Sequence, residues 1–260
     1  MYKNRLIPKL QMRSSKYQKN KMVLVTTINF DQTVEIGDPI SQAKIFEAQS
    51  ADELVFLDLD ASTENRDTLT HVIKSAAEQI FIPLTVGGGV RSLSDFRVLL
   101  SNGADKISIN TAAVNNPNII NQASTRFGSS TVVISIDYKN KDGECSVWTN
   151  GGRKKTDLDP VQWAIECEQN GAGEILLCSI DKDGTNLGLD LEMTERVSKA
   201  VSIPVITSGG CGLASHFSDG FLKGNAHAVS AGTYFCFKDQ SFMQVRAHVN
   251  NAGIPIRLHT

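Results

Sequence analysis

The stretch FIPLTVGGGVRS, residues 81 to 92, returns later in the chain as SIPVITSGGCG, residues 202 to 212. A shift of 121 positions places Ile82 on Ile203 and Gly88 on Gly209 without a gap. The same shift holds from Glu53, which falls on Glu174, over about fifty residues. A constant offset of this length indicates that the chain consists of two copies of one half.

Short apolar runs alternate with helix-patterned segments on both sides of this repeat. Continuous rather than alternating hydrophobicity is typical of parallel strands that helices cover on both faces. Counting the first and last runs gives about eight such units. The clearest runs are ELVFLDL (53–59), IPLTVG (82–87), KISIN (106–110), VVISID (132–137), EILLCSI (174–180) and IPVITSG (203–209).

Eight units in 260 residues, arranged as two equivalent halves, predict an α/β fold. The expected form is a closed (β/α)₈ TIM barrel rather than an open doubly wound sheet. We expect one domain over residues 1–260, with half-barrels at approximately 1–127 and 128–260. The segment NGGRKKT, residues 150 to 156, predicts a hairpin over the barrel mouth.

The composition gives no sign of a nucleic-acid or membrane partner. The net charge of −2 and the isoelectric point near 6.2 provide no basic field. No stretch approaches the roughly 18 apolar residues of a membrane span, and the first residues lack the apolar core of a signal peptide. We therefore expect a soluble, cytoplasmic protein that acts on a small molecule or a protein partner.

The cysteines predict neither a disulfide framework nor a zinc site. They are five in number, widely scattered and without CxxC spacing. We expect them to be small core residues, and we expect no metal and no other cofactor.

Glycines and hydroxyl residues follow the predicted strands at related positions of the two halves. Glycine allows backbone N–H groups to approach an anion closely, and the start of a following helix adds partial positive charge. The pattern predicts two phosphate sites and hence a long ligand with a phosphate at each end. The residues concerned are Gly88, Gly89, Asn110 and Thr111 in the first half, and Asp183, Gly184, Gly209, Gly210, Gly232 and Thr233 in the second.

These motifs resemble the HisF family, the cyclase subunit of imidazole glycerol phosphate synthase, over nearly the whole chain. The most specific stretches are GDP (37–39), ADELVFLDLDAS (51–62), FIPLTVGGGVRS (81–92), GADKISINTAAV (103–114), GAGEILLCSIDKDGT (171–185) and SIPVITSGGCG (202–212). The related isomerase of the same pathway shares the two-half barrel and the glycines. It lacks the charged set described next.

The resemblance implies a heterodimer in which a HisH-like glutaminase docks on the amino-terminal face of the barrel and delivers ammonia. In the family, four charged residues form the gate of this ammonia channel. The matching residues here are Arg5, Glu53, Lys106 and Glu174. Asp105 matches a residue that contacts the glutaminase.

The catalytic pair departs from the family pattern. The family uses two aspartates, at the ends of strands one and five, as general acid and base. Asp137 matches the second, but the first falls on Gln11, whose amide cannot exchange a proton near neutral pH. The family's functional lysine of the first loop falls on Thr26, or on Lys19 if the insertion is placed later.

Three functions remain open. One is the genuine cyclase of histidine biosynthesis, a lyase that converts the phosphoribosyl-formimino carboxamide ribotide (PRFAR) and ammonia to imidazole glycerol phosphate and the aminoimidazole carboxamide ribotide (AICAR). The second, which Gln11 favours, is a paralogue in surface-polysaccharide pathways that supplies ammonia to a sugar amidotransferase. The third is an allosteric scaffold for the glutaminase. The first two predict a bisphosphorylated ribotide or related small molecule as ligand.

Overall fold

Eight parallel strands close into a barrel in the computed structural model, which describes residues 3–18, 21–61, 70–141, 143–237 and 242–257. Each strand pairs in parallel with the next, and the last pairs back onto the first, with Ala228 opposite Arg5. The predicted (β/α)₈ barrel is confirmed. Its strands are β1 (Arg5–Ser14), β4 (Leu54–Asp58), β5 (Leu84–Gly87), β6 (Lys106–Ile109), β7 (Val132–Lys141), β10 (Glu174–Ser179), β11 (Val205–Ser208) and β12 (Ala228–Ala231).

Helices between the strands cover the outside of the barrel. Two of them begin with the same device, an Asp-Pro pair: Asp38 accepts from the Ser41 amide at 2.7 Å, and Asp159 accepts from the Val161 amide at 2.9 Å. The described helices are α1 (Pro39–Ala48), α2 (Thr70–Ala77), α3 (Leu93–Ser101), α4 (Thr111–Asn115), α5 (Asn118–Phe127), α6 (Pro160–Gln169), α7 (Leu191–Ala200), α8 (Ala214–Leu222), α9 (Thr233–Phe237) and α10 (Phe242–Asn251). None of them is both long and apolar enough to cross a membrane.

Two antiparallel ribbons extend the barrel at its carboxyl-terminal end. The first ribbon consists of β2 (Met22–Ile28) and β3 (Gln32–Gly37) and pairs with β1. The second ribbon consists of β8 (Glu144–Thr149) and β9 (Lys154–Lys155) and pairs with β7. The second ribbon contains the predicted hairpin.

The sequence predicts that the first strand ends at Gln11, but the strand is longer. It continues to Ser14 because β2 provides an antiparallel partner for its last residues, with Val25 opposite Gln11. Asp137 likewise lies inside β7, opposite Trp148 of the second ribbon. Gln11 and Asp137 are thus equivalent in place, at the points where the barrel strands become ribbons.

The apolar residues form two cores, one between strands and helices and one inside the barrel. Along β1, successive side chains point to opposite faces. Leu6 and Leu10 pack toward the helices, whereas Ile7 belongs to the interior core. That interior core forms an apolar layer across the barrel, made of Ile7, Val55, Val133, Leu176, Ile206 and Ala228.

Candidate functional site

Four charged side chains form one closed ring at the amino-terminal end of the barrel interior. Arg5 donates to Glu53 at 2.8 Å and also to Glu174. Lys106 donates to Glu53 at 2.9 Å and to Glu174 at 3.0 Å. Each carboxylate therefore holds both cations, and each cation holds both carboxylates. The structure brings together all four residues that the sequence assigned to a gate.

Burial and charge act in opposite directions in this ring. Burial alone raises the pKa of Glu174, but Arg5 and Lys106 lower it by more, so the net pKa lies below its usual value. Burial alone lowers the pKa of Arg5, and Glu174 and Glu53 raise it above its usual value. Arg5 and Glu174 are therefore both charged at neutral pH. Asp105 lies next to the ring, where its exposed carboxylate accepts from the Leu84 amide at 2.8 Å.

The first cavity, of about 140 Å³, opens at the other end of the barrel. Its walls contain the predicted first phosphate site and both members of the altered catalytic pair, Gln11 and Asp137. Two cations that are not among the predicted site residues, Arg13 and Arg153, also line it, and Arg153 belongs to the predicted hairpin segment NGGRKKT. The predicted phosphate-site residues on its wall are Gly88, Gly89, Asn110 and Thr111.

Asp137 is held by two neighbours inside this cavity. Its carboxylate accepts from the Asn110 amide at 2.7 Å and from the Ser135 hydroxyl at 3.1 Å. Burial raises the pKa of Asp137, while the Asn110 hydrogen bond and the positive charge of Lys9 oppose the rise; the net direction is upward. A carboxyl with a raised pKa at a cavity wall suits proton transfer.

Gln11 is buried and faces the first ribbon. The Thr27 hydroxyl lies within hydrogen-bonding distance of Gln11 Oε1, at 3.3 Å, and it also contacts the Asp183 carboxylate. Thr26 is buried in β2, and Lys19 lies outside the described residues. Of the two expected positions for the family's lysine, the described one therefore brings no cation to the site.

The second cavity is far smaller, about 10 Å³, which is room for about one water molecule. The first ribbon closes against it: the Asn29 amide donates to the Asp183 carbonyl at 2.9 Å. A Cβ on Gly184 would lie 2.0 Å from the Thr27 carbonyl oxygen, so the two backbones are in direct contact. The predicted phosphate-site residues that line it are Asp183, Gly184, Gly209, Gly210, Gly232 and Thr233.

Lys9 lines both cavities and is the interior residue that the sequence reading missed most plainly. It is 4% exposed, and its ammonium lies 3.5 Å from Cys178 Sγ and 3.6 Å from Asp183 Oδ1. Burial alone lowers the pKa of Lys9, but the contact with Cys178 Sγ and the negative charges of Asp183 and Asp137 raise it by more. Burial also raises the pKa of Cys178, to about 12, so that thiol is neutral near pH 7. The two carboxylates are therefore the anions that keep Lys9 charged.

The signal for Lys9 was present in the strand alternation. Arg5, Ile7, Lys9 and Gln11 occupy every second position of β1 and so share one face. Arg5 belongs to the ring and Ile7 to the apolar layer, and Lys9 lines the cavities. Strand β1 thus leads from the ring to the mouth.

Two comparisons with known proteins show the family to which the chain is similar. The model of a family described as histidine biosynthesis protein matches residues 5–241. A protein of Prochlorococcus marinus (strain MIT 9313), which bears the name of an imidazole glycerol phosphate synthase subunit, hisF2, is 48% identical over 260 residues. That match covers 99% of each chain.

Proposed function

The chain belongs to the histidine biosynthesis protein family as a HisF-like subunit, and on that premise we propose that it takes ammonia in through its barrel. The closed ring of Arg5, Glu53, Lys106 and Glu174 carries this proposal. The ring lies at one end of the barrel interior, the cavities lie at the other, and an apolar layer separates them. Neutral ammonia suits such a layer better than an ammonium ion, because burial penalises charge.

The partner that supplies the ammonia is a HisH-like glutaminase, docked where the ring opens. The relative is named as a synthase subunit, which supports a two-subunit assembly. Asp105 is exposed beside Lys106 and would lie in such an interface.

The ligand at the mouth is a bisphosphorylated ribotide or a related compound. Glycines at both cavities support one phosphate in each, and Arg13 and Arg153 add positive charge at the first. A ligand of this length requires the first ribbon to move away from Gly184, since the second cavity has room for about one water molecule.

Gln11 bears on which reaction consumes the ammonia. An amide in place of the first aspartate removes one half of the acid-base pair, a change that costs about 10²- to 10⁴-fold in rate. We therefore favour a paralogue that supplies ammonia to a separate sugar amidotransferase in surface-polysaccharide biosynthesis. The second candidate is the cyclase of histidine biosynthesis, which Asp137 favours because its carboxyl has a raised pKa at the cavity wall.

Turnover of PRFAR with saturating ammonium salt separates the two candidates, because ammonium bypasses the glutaminase. We expect the unmodified protein to show no detectable cyclisation and Gln11→Asp to gain it. Gln162→Asp, which adds a carboxylate on the exposed side of α6, is the matched control and should gain none. Turnover by the unmodified protein within about tenfold of an authentic cyclase would contradict the paralogue and establish the second candidate.

A further inference from the structure

Lys9 lies where the two cavities meet. It lines both of them, together with Asp137 and Cys178 in the first and with Asp183 in the second. Its side chain is 2% exposed. A ligand that reached from one phosphate site to the other would therefore pass the Lys9 ammonium between its two ends.

The hydrogen bonding of this ammonium is incomplete. Lysine offers three N–H donors. Among the described residues its one hydrogen-bond acceptor is Cys178 Sγ at 3.5 Å, and sulfur accepts weakly. The nearest oxygen, Asp183 Oδ1, lies at 3.6 Å, beyond the roughly 2.7–2.9 Å of a charge-assisted hydrogen bond. A buried ammonium without a close oxygen acceptor is costly, so an acceptor supplied by a ligand would be bound favourably.

The charges around Lys9 limit what that acceptor is. Two carboxylates face the ammonium: Asp183 from the loop after β10, and Asp137 from β7. Cys178 is a neutral thiol. A phosphate directly against Lys9 would lie near two carboxylates, Asp183 and Asp137, whereas of these two only Asp183 lines the second phosphate site, so repulsion is stronger beside Lys9. A carbonyl or hydroxyl oxygen carries no net charge and avoids this repulsion.

We propose that Lys9 is a specificity-determining contact, whose ammonium donates to a carbonyl or hydroxyl oxygen in the middle of a ligand that carries a phosphate at each end. The inference rests on the proposed function for the two phosphate sites. It adds a requirement that the sites alone do not impose, an oxygen acceptor between them. It also assigns a binding role to a residue that is not part of the acid-base pair.

The test compares two probes, PRFAR and inorganic phosphate, by isothermal titration calorimetry. PRFAR carries both phosphates and the oxygens between them, whereas inorganic phosphate fills a phosphate site alone. The variants are Lys9→Met, which is close in shape and uncharged, and Lys9→Arg, which keeps the charge. Lys199→Met on the exposed side of α7 is the control, because Lys199 contacts Glu195 and neither cavity.

The expected result is a loss of about tenfold or more in PRFAR affinity for Lys9→Met, with phosphate affinity unchanged. Lys9→Arg should lie between Lys9→Met and the unmodified protein, and Lys199→Met should bind both probes normally. The ratio of the two affinities, measured on one preparation, does not depend on the fraction of protein that is folded. A variant of reduced stability therefore still gives an answer.

Two results would overturn the inference, and they differ in what they say of the proposed function. If Lys9→Met weakens both probes equally or neither, Lys9 does not read the middle of the ligand, although the phosphate sites stand. If the unmodified protein binds phosphate but not PRFAR, the bisphosphorylated ligand of the proposed function fails together with the role of Lys9.

Discussion

Glu53 and Glu174 lie 121 positions apart in the chain and hold the same two cations. Each contacts both Arg5 and Lys106, so the two repeat halves contribute equivalent carboxylates to one ring. The carboxylates are almost fully buried, while the side chains of Arg5 and Lys106 remain 24% and 21% exposed. The cations therefore remain in partial contact with solvent, whereas the buried carboxylates rely on Arg5 and Lys106 to balance their negative charge.

Replacement of Glu174 by Gln should destabilise the protein at neutral pH and flatten its response to acid. Breaking a buried ion pair costs about 3–5 kcal/mol, and the partial exposure of the cations reduces this to roughly 2–3 kcal/mol. The folded pKa of Glu174 is lowered from 4.5, so its contribution is complete above that value and lost as pH falls through the folded pKa.

Urea unfolding between pH 3 and pH 7 checks this. The difference between the unmodified protein and Glu174→Gln should be largest at pH 7 and shrink toward pH 3. Glu195→Gln, an exposed carboxylate on α7, should show neither effect. A difference that stays constant over the whole range would mean that the ring does not depend on the charge of Glu174.

Replacement of Asn110 by Ala should raise the pKa of Asp137 further. The amide of Asn110 donates to the carboxylate at 2.7 Å and stabilises its charged form, so removing it leaves the effect of burial less opposed. Carboxyl ¹³C chemical shifts of labelled aspartates, followed through a pH titration, measure the change directly. In a Gln11→Asp background, where PRFAR turnover is expected, the limb of the pH–rate profile that Asp137 controls should move to higher pH.

Asn121→Ala, on the exposed side of α5, is the control for this titration and should leave Asp137 unaffected. A lower pKa in Asn110→Ala would show that solvent entering the cavity outweighs the lost hydrogen bond.

The repeat made the barrel predictable, because a constant offset between two halves leaves little freedom in topology. The four ring residues came from the resemblance to the HisF family, and the repeat agrees with it, since Glu53 and Glu174 are repeat partners. Lys9 was harder to find, because the run RLIPKLQMR reads as one apolar strand interrupted by single charges. Only the alternation of β1 assigns Lys9 to the interior face.

The closing of the first ribbon on the second cavity could not be predicted from the sequence. It depends on contacts between Thr27 and residues 183 and 184, far apart in the chain. No local pattern encodes such a contact, and the repeat does not help, because the two ribbons differ in length and sequence. The continuation of β1 past Gln11 escaped prediction for the same reason: it requires β2 as a partner.

The cysteines should be inert in the folded protein. All five are free, and burial raises the pKa of Cys178 to about 12 and that of Cys145 and Cys236 to about 11. At pH 8 a thiol with a pKa near 11 is about 0.1% thiolate, which is the reactive form. Labelling with a disulfide reagent should therefore be slow in buffer and rapid for all five in concentrated guanidinium. Rapid labelling of any cysteine in the folded protein would contradict this assignment.

Replacement of Gly184 by Ala should separate the first ribbon from the loop after β10. Gly184 has φ +72°, and its added Cβ would lie 2.0 Å from the Thr27 carbonyl oxygen. Gly143 is a matched control, because it has φ +83° and nothing within 4 Å of its added Cβ.

Both variants bear the strain of a positive φ, about 1 kcal/mol, but only Gly184→Ala bears the clash, which adds about 1–3 kcal/mol. Urea unfolding should therefore show the larger loss in free energy of unfolding for Gly184→Ala. Hydrogen exchange of the Asn29 amide should be faster in this variant, because that amide donates to the Asp183 carbonyl across the same contact. The exchange would thus place the damage at the contact between the first ribbon and the loop. Equal losses and unchanged exchange would mean that the ribbon yields without cost, and the closed second cavity would then present no barrier to a ligand.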